Sequence, residues 1–190
     1  MAVADRSAAE AAQRIADALE TAGLPYAIGG ALALAIAGVP RGTADVDVNV
    51  FVGEERLPAV FAALHGLGIE LDAAVATTRA HRDGMCVGHW DGMRIDVFLP
   101  SIPFAHEAHV TRTRVTDAAG WSGWFLAAEA IAVFKLLFFR GKDVVDLERL
   151  VAVRDELDRA YVRRWIVDMM GEGDERVTTW DRIVARLGPR

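Results

Sequence analysis

Asp45 and Asp47, one residue apart, head the run Asp45-Val46-Asp47-Val48-Asn49-Val50-Phe51-Val52. The alternation predicts a β-strand in which every second side chain shares a face. The two carboxylates then project together while Val46, Val48 and Val50 point into a core. Carboxylates held side by side repel by roughly several kcal/mol at low dielectric. Such a pair needs a shared proton or a hard divalent cation. Asp-x-Asp suits Mg²⁺, which takes oxygen ligands at about 2.0–2.1 Å and is usually shared with substrate phosphates. A phosphoryl-transfer site of this kind needs a third acid, and Asp96 in the apolar run Arg94-Ile95-Asp96-Val97-Phe98-Leu99 supplies it. Three acids on adjacent strands can hold two metal ions about 3.5–4 Å apart, stabilising the attacking and leaving oxygens of an in-line displacement.

The counterpart for the anion lies upstream. Gly29-Gly30 follows a short apolar run and precedes the helix-length segment Ala31-Leu32-Ala33-Leu34-Ala35-Ile36-Ala37. Glycine lets backbone amides approach a ligand closely, and a helix N-terminus favours phosphate oxygens. Arg41 and Thr43 lie between that helix and Asp45. Arg41 is read as a phosphate contact or as ordering the acidic pair.

Gly29-Gly30, then Arg41-x-Thr43-x-Asp45-x-Asp47, then a distant strand acid, resembles the nucleotidyltransferase superfamily with a DNA polymerase β-like fold. The similarity is greatest to the bacterial toxin branch related to abortive-infection nucleotidyltransferases (AbiEii-like and MenT-like). A second block, Phe134-Lys135-Leu136-Leu137-Phe138-Phe139-Arg140-Gly141-Lys142-Asp143-Val144-Val145-Asp146-Leu147, resembles that branch's Lys…Arg-x-Lys-Asp-x-x-Asp motif. The resemblance implies an α/β (α+β) fold, a nucleotidyltransferase lobe with a mixed sheet followed by a helical C-terminal lobe. It implies Mg²⁺-dependent transfer from a nucleoside triphosphate, with Asp45, Asp47 and Asp96 as metal ligands. Lys135 and Asp146 would join these three as catalytic residues. Gly29, Gly30, Arg41, Thr43 and Lys135 would hold the triphosphate. The toxin branch further implies an acceptor such as the 3′ end of tRNA, a block of translation, and a cognate antitoxin.

Composition narrows the setting. With 190 residues the chain has ample length for a core. The start, Met1-Ala2-Val3-Ala4-Asp5-Arg6, lacks a leader-like apolar stretch. The apolar segment Tyr26 to Val39 is too short to span a bilayer. The single cysteine, Cys86, excludes an internal disulfide and fits a reducing compartment. The expectation is a cytoplasmic protein with no membrane partner. A net charge of -6 argues against indiscriminate nucleic-acid binding. The first half is acidic and the second half nearly balanced, so RNA contacts are expected from Arg112, Arg114, Arg140, Arg154, Arg163 and Arg164. Both lysines, Lys135 and Lys142, fall in the second motif block, which suggests sites wanting a compact ammonium.

The elements that must position these residues can be sketched. Ser7 with Glu10 reads as a capping box for a helix to about Ala22, stopped by Gly23. Strands are expected at Pro25 to Ile28, 45–52 and Ile69 to Asp72, with a helix near Glu54 to Leu67 and a loop through Arg82. Asp91-Gly92 reads as the turn of a hairpin formed by 85–90 and 94–99. His109 to Val115 alternates like a further strand. From Trp124 onward the pattern is helical, with breaks near Gly141, Asp158 and Gly171. The expected division is a catalytic lobe at 1–120 and a helical lobe at 121–190.

Several residues are open to two readings. Lys135, between Phe134 and Leu136, either snorkels or meets an anion, and the anion is favoured. Its replacement by methionine is expected to cost activity without lowering stability. Lys135 and Asp146 would share a face if one helix ran through both. A break at Gly141 would instead make Asp143 an N-cap and put Asp146 in the first turn. His106 and His109 read as ordinary loop histidines. Trp121 and Trp124 are expected to pack at the junction between lobes. Cys86 shows no sign of nucleophilic service. Two rivals stand beside the toxin reading: an antibiotic nucleotidyltransferase of the aminoglycoside type, which would need an acidic acceptor pocket, and a degenerate nucleotide-binding module.

Overall fold

A computed structural model of the chain describes residues 7–187. The first six residues, on which the leader reading rests, lie outside it. Contacts gather into two compact units. The first comprises residues up to Leu32 together with Gly42–Leu126, and the second comprises Ala33–Arg41 with the chain from Ala127 onward.

The first unit is built on a six-stranded mixed sheet, in the order β3-β4-β2-β1-β6-β5. Helix α1 (Ala8–Thr21) starts at the expected capping box: Glu10 N–H donates to Ser7 Oγ at 3.2 Å and Ser7 N–H donates to Glu10 Oε2 at 2.9 Å. Ala8, Ala11, Ala12, Ile15, Ala16 and Leu19 form one buried stripe along it, the helical period read directly. Strand β1 (Tyr26–Ile28) is wholly buried. It pairs antiparallel with β2 (Asp45–Val50) and parallel with β6 (Ser122–Phe125). β3 (Met85–Trp90) and β4 (Met93–Phe98) make the expected hairpin. Asp91 and Gly92 both take positive φ at its turn, 50° and 84°, as a type I′ connection requires.

Three local expectations are corrected. The segment before β3 is a helix, α4 (Ala73–Asp83), capped by Asp72 through the N–H groups of Ala74 and Val75 and closed by Gly84 in the left-handed region. It buries only Ala76 and Ala80, so it shows no large apolar stripe. Around Ile69 to Asp72 there is a single bridge, Glu70 to His89, rather than a strand. His106 and His109 lie on a short helix, α5 (Ala105–Val110), and the strand that follows is β5 (Thr113–Thr116), paired with the unexpected β6. The helix near Glu54 opens with one 3₁₀ turn and continues as α3 (Leu57–His65). The short helix α2 (Gly30–Ile36) follows the glycine pair.

The second unit is helical: α6 (Ala128–Phe138), α7 (Gly141–Val153), α8 (Arg159–Met170) and α9 (Glu175–Leu187). Its breaks fall where Gly141, Asp158 and Gly171 suggest. α6 ends at Phe139, whose φ of +52° is rare for a bulky residue. Asp158 caps α8 by accepting from Tyr161 N–H at 2.8 Å. No helix among the described residues is long and apolar enough to cross a membrane.

Candidate functional site

β2 and β4 run parallel in direct register, so Asp47 stands beside Asp96 and Asp45 beside Arg94. Behind them Val46, Val48, Ile95 and Val97 are buried and fix both strands from the core side. This packing leaves the acid-bearing face little freedom. Asp45 is exposed, Asp47 is half-buried, and the Asp96 side chain is 16 % exposed. Arg94 Nε donates to Asp96 Oδ1 at 2.7 Å. Arg94 escaped the sequence reading, although its spacing from Asp96 places both on one strand face.

The glycine pair sits against the central acid. Gly29 N–H donates to the carbonyl oxygen of Asp47 at 2.8 Å. Gly30 has φ +54°, and a Cβ there would lie 1.8 Å from Asp47 Oδ2. Any side chain there would be strained and would push the Asp47 carboxylate aside. Thr43 brackets the backbone of Asp45: its hydroxyl donates to the Asp45 carbonyl at 3.1 Å and accepts from Asp45 N–H at 3.2 Å. Thr43 therefore sets where β2 begins. Asn49, the third polar residue on this face, is 7 % exposed, with Nδ2 2.8 Å from where a Gly29 Cβ would stand.

As the side chains stand, no three His, Cys, Asp or Glu among the described residues converge to hold a metal ion. Asp96 is turned onto Arg94 and Asp45 faces solvent. The donor set nonetheless fits Mg²⁺: all three are hard carboxylates on one face of adjacent strands, two of them in register. The missing Cβ of Gly30 leaves the Asp47 carboxylate the space it needs.

The second unit gathers the other candidates. Lys135 Nζ donates to Asp146 Oδ2 at 2.6 Å and to Asp143 Oδ1 at 3.4 Å. Arg41 Nε donates to Asp146 Oδ2 at 3.3 Å, and Arg140 Nε to Asp143 Oδ2 at 2.6 Å. Lys135, Asp143 and Asp146 are all buried. The anion reading of Lys135 is thus met inside the protein, by two carboxylates. Burial would raise the Asp143 carboxyl, but the Arg140 hydrogen bond and the nearby Lys135 and Arg140 charges hold it below the ordinary carboxylate range. The helix break is real, yet Asp143 is not the N-cap. Arg140 occupies that position, and Asp143 accepts from its N–H three residues on, at 3.1 Å. Lys135 and Asp146 meet because α6 and α7 pack together, not because one helix carries both.

Other residues find simpler roles. Trp121 donates from Nε1 to Asp17 Oδ1 at 2.9 Å and meets Phe125 edge-on. Arg112 and Arg114 lie over the ring of Trp124, at 4.4 and 5.5 Å from its centroid. His109 stacks on Phe51 at 4.8 Å. Burial, with Asp96 nearby, pushes the Cys86 thiol up to about 11, which suits an inert core residue.

The chain is similar in structure to an antigenic nucleotidyltransferase-like protein from Paracoccidioides brasiliensis, with TM-score 0.55 and 16% identity over 95% of this chain and 88% of that one. It is also similar to ANT(2'')-Ia in complex with adenylyl-2''-tobramycin, with TM-score 0.51 and 17% identity over 93% of this chain and 96% of that one. No protein-family model and no curated protein matches the chain. The mixed six-stranded sheet, with its acids on β2 and β4, thus belongs to a fold of the nucleotidyltransferase type.

Proposed function

We propose that this chain is a Mg²⁺-dependent nucleotidyltransferase. The observation that carries the reading is the register of Asp47 against Asp96, with Asp45 on the same face and Gly30 pressed to the Asp47 carboxylate. Asp45, Asp47 and Asp96 would hold the metal, two ions in full occupancy. The metal would neutralise the triphosphate and the charge that grows on it in the transition state. Gly29, its N–H held by the Asp47 carbonyl, would shape the turn, and Gly30 would offer its backbone amide to a phosphate oxygen of the triphosphate that both cradle. Asp96, once released from Arg94, would take the proton of an acceptor hydroxyl. Thr43 positions Asp45 through its backbone. Lys135 and Asp146 form a buried ion pair that the half-buried Arg41 joins, and their part in the reaction would be to hold that unit's framework.

For the acceptor we propose RNA, such as the 3′ end of tRNA, with the chain acting as the toxin of a toxin–antitoxin pair in the cytoplasm. The support is the order of the motifs from Gly29 to Asp146. A second reading, a small-molecule hydroxyl acceptor such as an aminoglycoside, is kept because many of the arginines are already engaged. Of the arginines expected to meet RNA, Arg114, Arg140, Arg154 and Arg163 are already paired with Glu20, Asp143, Glu156, and Glu172 with Asp181.

The test is to incubate the protein with Mg²⁺, each labelled nucleoside triphosphate in turn, total tRNA and a set of aminoglycosides, with Asp47→Asn alongside. Label entering tRNA supports the toxin reading, and label entering the antibiotic supports the second. No label in any fraction, or equal transfer by Asp47→Asn, removes nucleotidyl transfer at this site.

A further inference from the structure

We infer that Asn49 is a binding residue for the triphosphate, its side-chain amide donating to a phosphate oxygen beneath the Gly29–Gly30 turn. This rests on the nucleotidyl-transfer reading above. Asn49 lies two residues beyond Asp47 on β2, on the same strand face. It is 7 % exposed, among the few buried polar side chains of the described residues. Nδ2 points at Gly29, 2.8 Å from the position a Cβ would take, with Asp47 Cβ at 3.7 Å and Leu126 Cδ1 at 3.3 Å from that same position.

Among the described residues the amide has no hydrogen-bond partner. Neither of its side-chain polar atoms is among the fully enclosed ones that lack a partner, so the amide keeps a narrow opening to solvent. A ligand that enters there must be an acceptor, and it meets the amide on the Asp47 face of β2, beside the Gly29 backbone whose missing Cβ makes room for the amide itself. A phosphate oxygen meets that description. The amide also suits its surroundings electrically: a further carboxylate would repel both Asp47 and the phosphate, whereas a neutral donor attracts the phosphate without disturbing the acids.

Calorimetric titration of the full chain with the α,β-methylene analogues of the four nucleoside triphosphates, in Mg²⁺, tests this without turnover. Asn49→Ala should raise Kd for the analogue the parent binds about tenfold, the loss of one net hydrogen bond. Asn49→Asp should raise it more, roughly a hundredfold, because a like charge then faces the phosphate. The nucleoside lacking phosphates should bind parent and variants alike. Without nucleotide, Asn49→Ala and Asn49→Thr should melt at or above the parent. A Kd unchanged in Asn49→Ala overturns the assignment and leaves nucleotidyl transfer standing. A fall in melting temperature in both Asn49→Ala and Asn49→Thr makes the amide structural and overturns it as well. A parent that binds none of the analogues removes the nucleotidyl-transfer reading and this one with it.

Discussion

Lys135 Nζ meets Asp146 Oδ2 at 2.6 Å across a helix break, eleven residues apart in the chain. With Asp143 at 3.4 Å on the other side, the ammonium is the centre of a buried network that Arg41 and Arg140 extend outward. Removing charges from water is expensive and is repaid only while every partner is present.

The sequence expectation for Lys135→Met is therefore reversed. The variant leaves two buried carboxylates short of a cation, and we expect a loss of about 3–5 kcal/mol. Lys135→Met combined with Asp146→Asn should recover part of that loss, since one uncompensated charge is gone. Urea unfolding of both variants checks this. Parental stability in the single variant would show that the ammonium contributes nothing to the fold.

The same network sets an acid limit. The Asp143 carboxyl lies below its ordinary value in the folded state. Its stabilisation is thus complete above the unfolded carboxylate value, about 4, and is lost as pH falls through the folded one. Thermal melts from pH 6 to pH 2 should show a steepening loss below about pH 4, and Asp143→Asn should flatten that limb while lowering stability at pH 6. An acid limb identical in parent and variant would place the titrating group elsewhere.

How much of this was legible in the sequence follows from what each signal depends on. The acidic strand, the Asp91-Gly92 hairpin and the Ser7 cap are local: alternation, turn chemistry and a capping box lie within a few residues. α4 was missed because alanines Ala76 and Ala80 bury it, and small residues give a faint period. β6 was missed because Trp124 and Phe125 stand beside the long helical pattern that follows. The Arg94–Asp96 contact could have been read from spacing. The closure of Lys135 onto Asp143 and Asp146 could not, because it depends on how α6 packs on α7. Asn49 looked like one more polar residue of an alternating strand until its burial separated it from Asp45.

Gly30 separates site geometry from backbone strain. Gly30→Ala introduces both a strained φ of +54° and a carbon 1.8 Å from Asp47 Oδ2. Gly171→Ala has the strain alone, with φ +89° and nothing within 4 Å. We expect Gly171→Ala to cost about 1–3 kcal/mol with activity kept, and Gly30→Ala to abolish transfer as the Asp47 carboxylate is displaced. Melting curves and transfer assays on the pair decide it. An active Gly30→Ala enzyme would detach the glycine turn from the acid.

Arg94 competes with any cation for Asp96. Replacing it with glutamine frees the carboxylate and removes a positive charge from the face proposed to receive the metal. Arg94→Gln should bind Mn²⁺ more tightly than the parent when nucleotide is absent, by about three- to tenfold, as measured by electron paramagnetic resonance titration. Unchanged or weaker Mn²⁺ binding would mean that Arg94 orders Asp96 for the metal instead of holding it away.

The arginines distinguish the two acceptors. Arg163 is tied to both Glu172 and Asp181, which leaves it little to offer a phosphate. Arg112 and Arg164 have no acidic partner among the described residues and lie over Trp124 and Tyr161. An aromatic ring capped by a guanidinium can take a phosphate at the cation and a base at the ring. If RNA is the acceptor, Arg112→Glu and Arg164→Glu should each raise its Kd and reduce the slope of log affinity against log salt by about one phosphate contact. Arg163→Glu should change neither. Fluorescence anisotropy of labelled tRNA across a salt series measures all three. An affinity indifferent to salt and to Arg112 and Arg164 removes RNA and leaves the small-molecule hydroxyl as the acceptor.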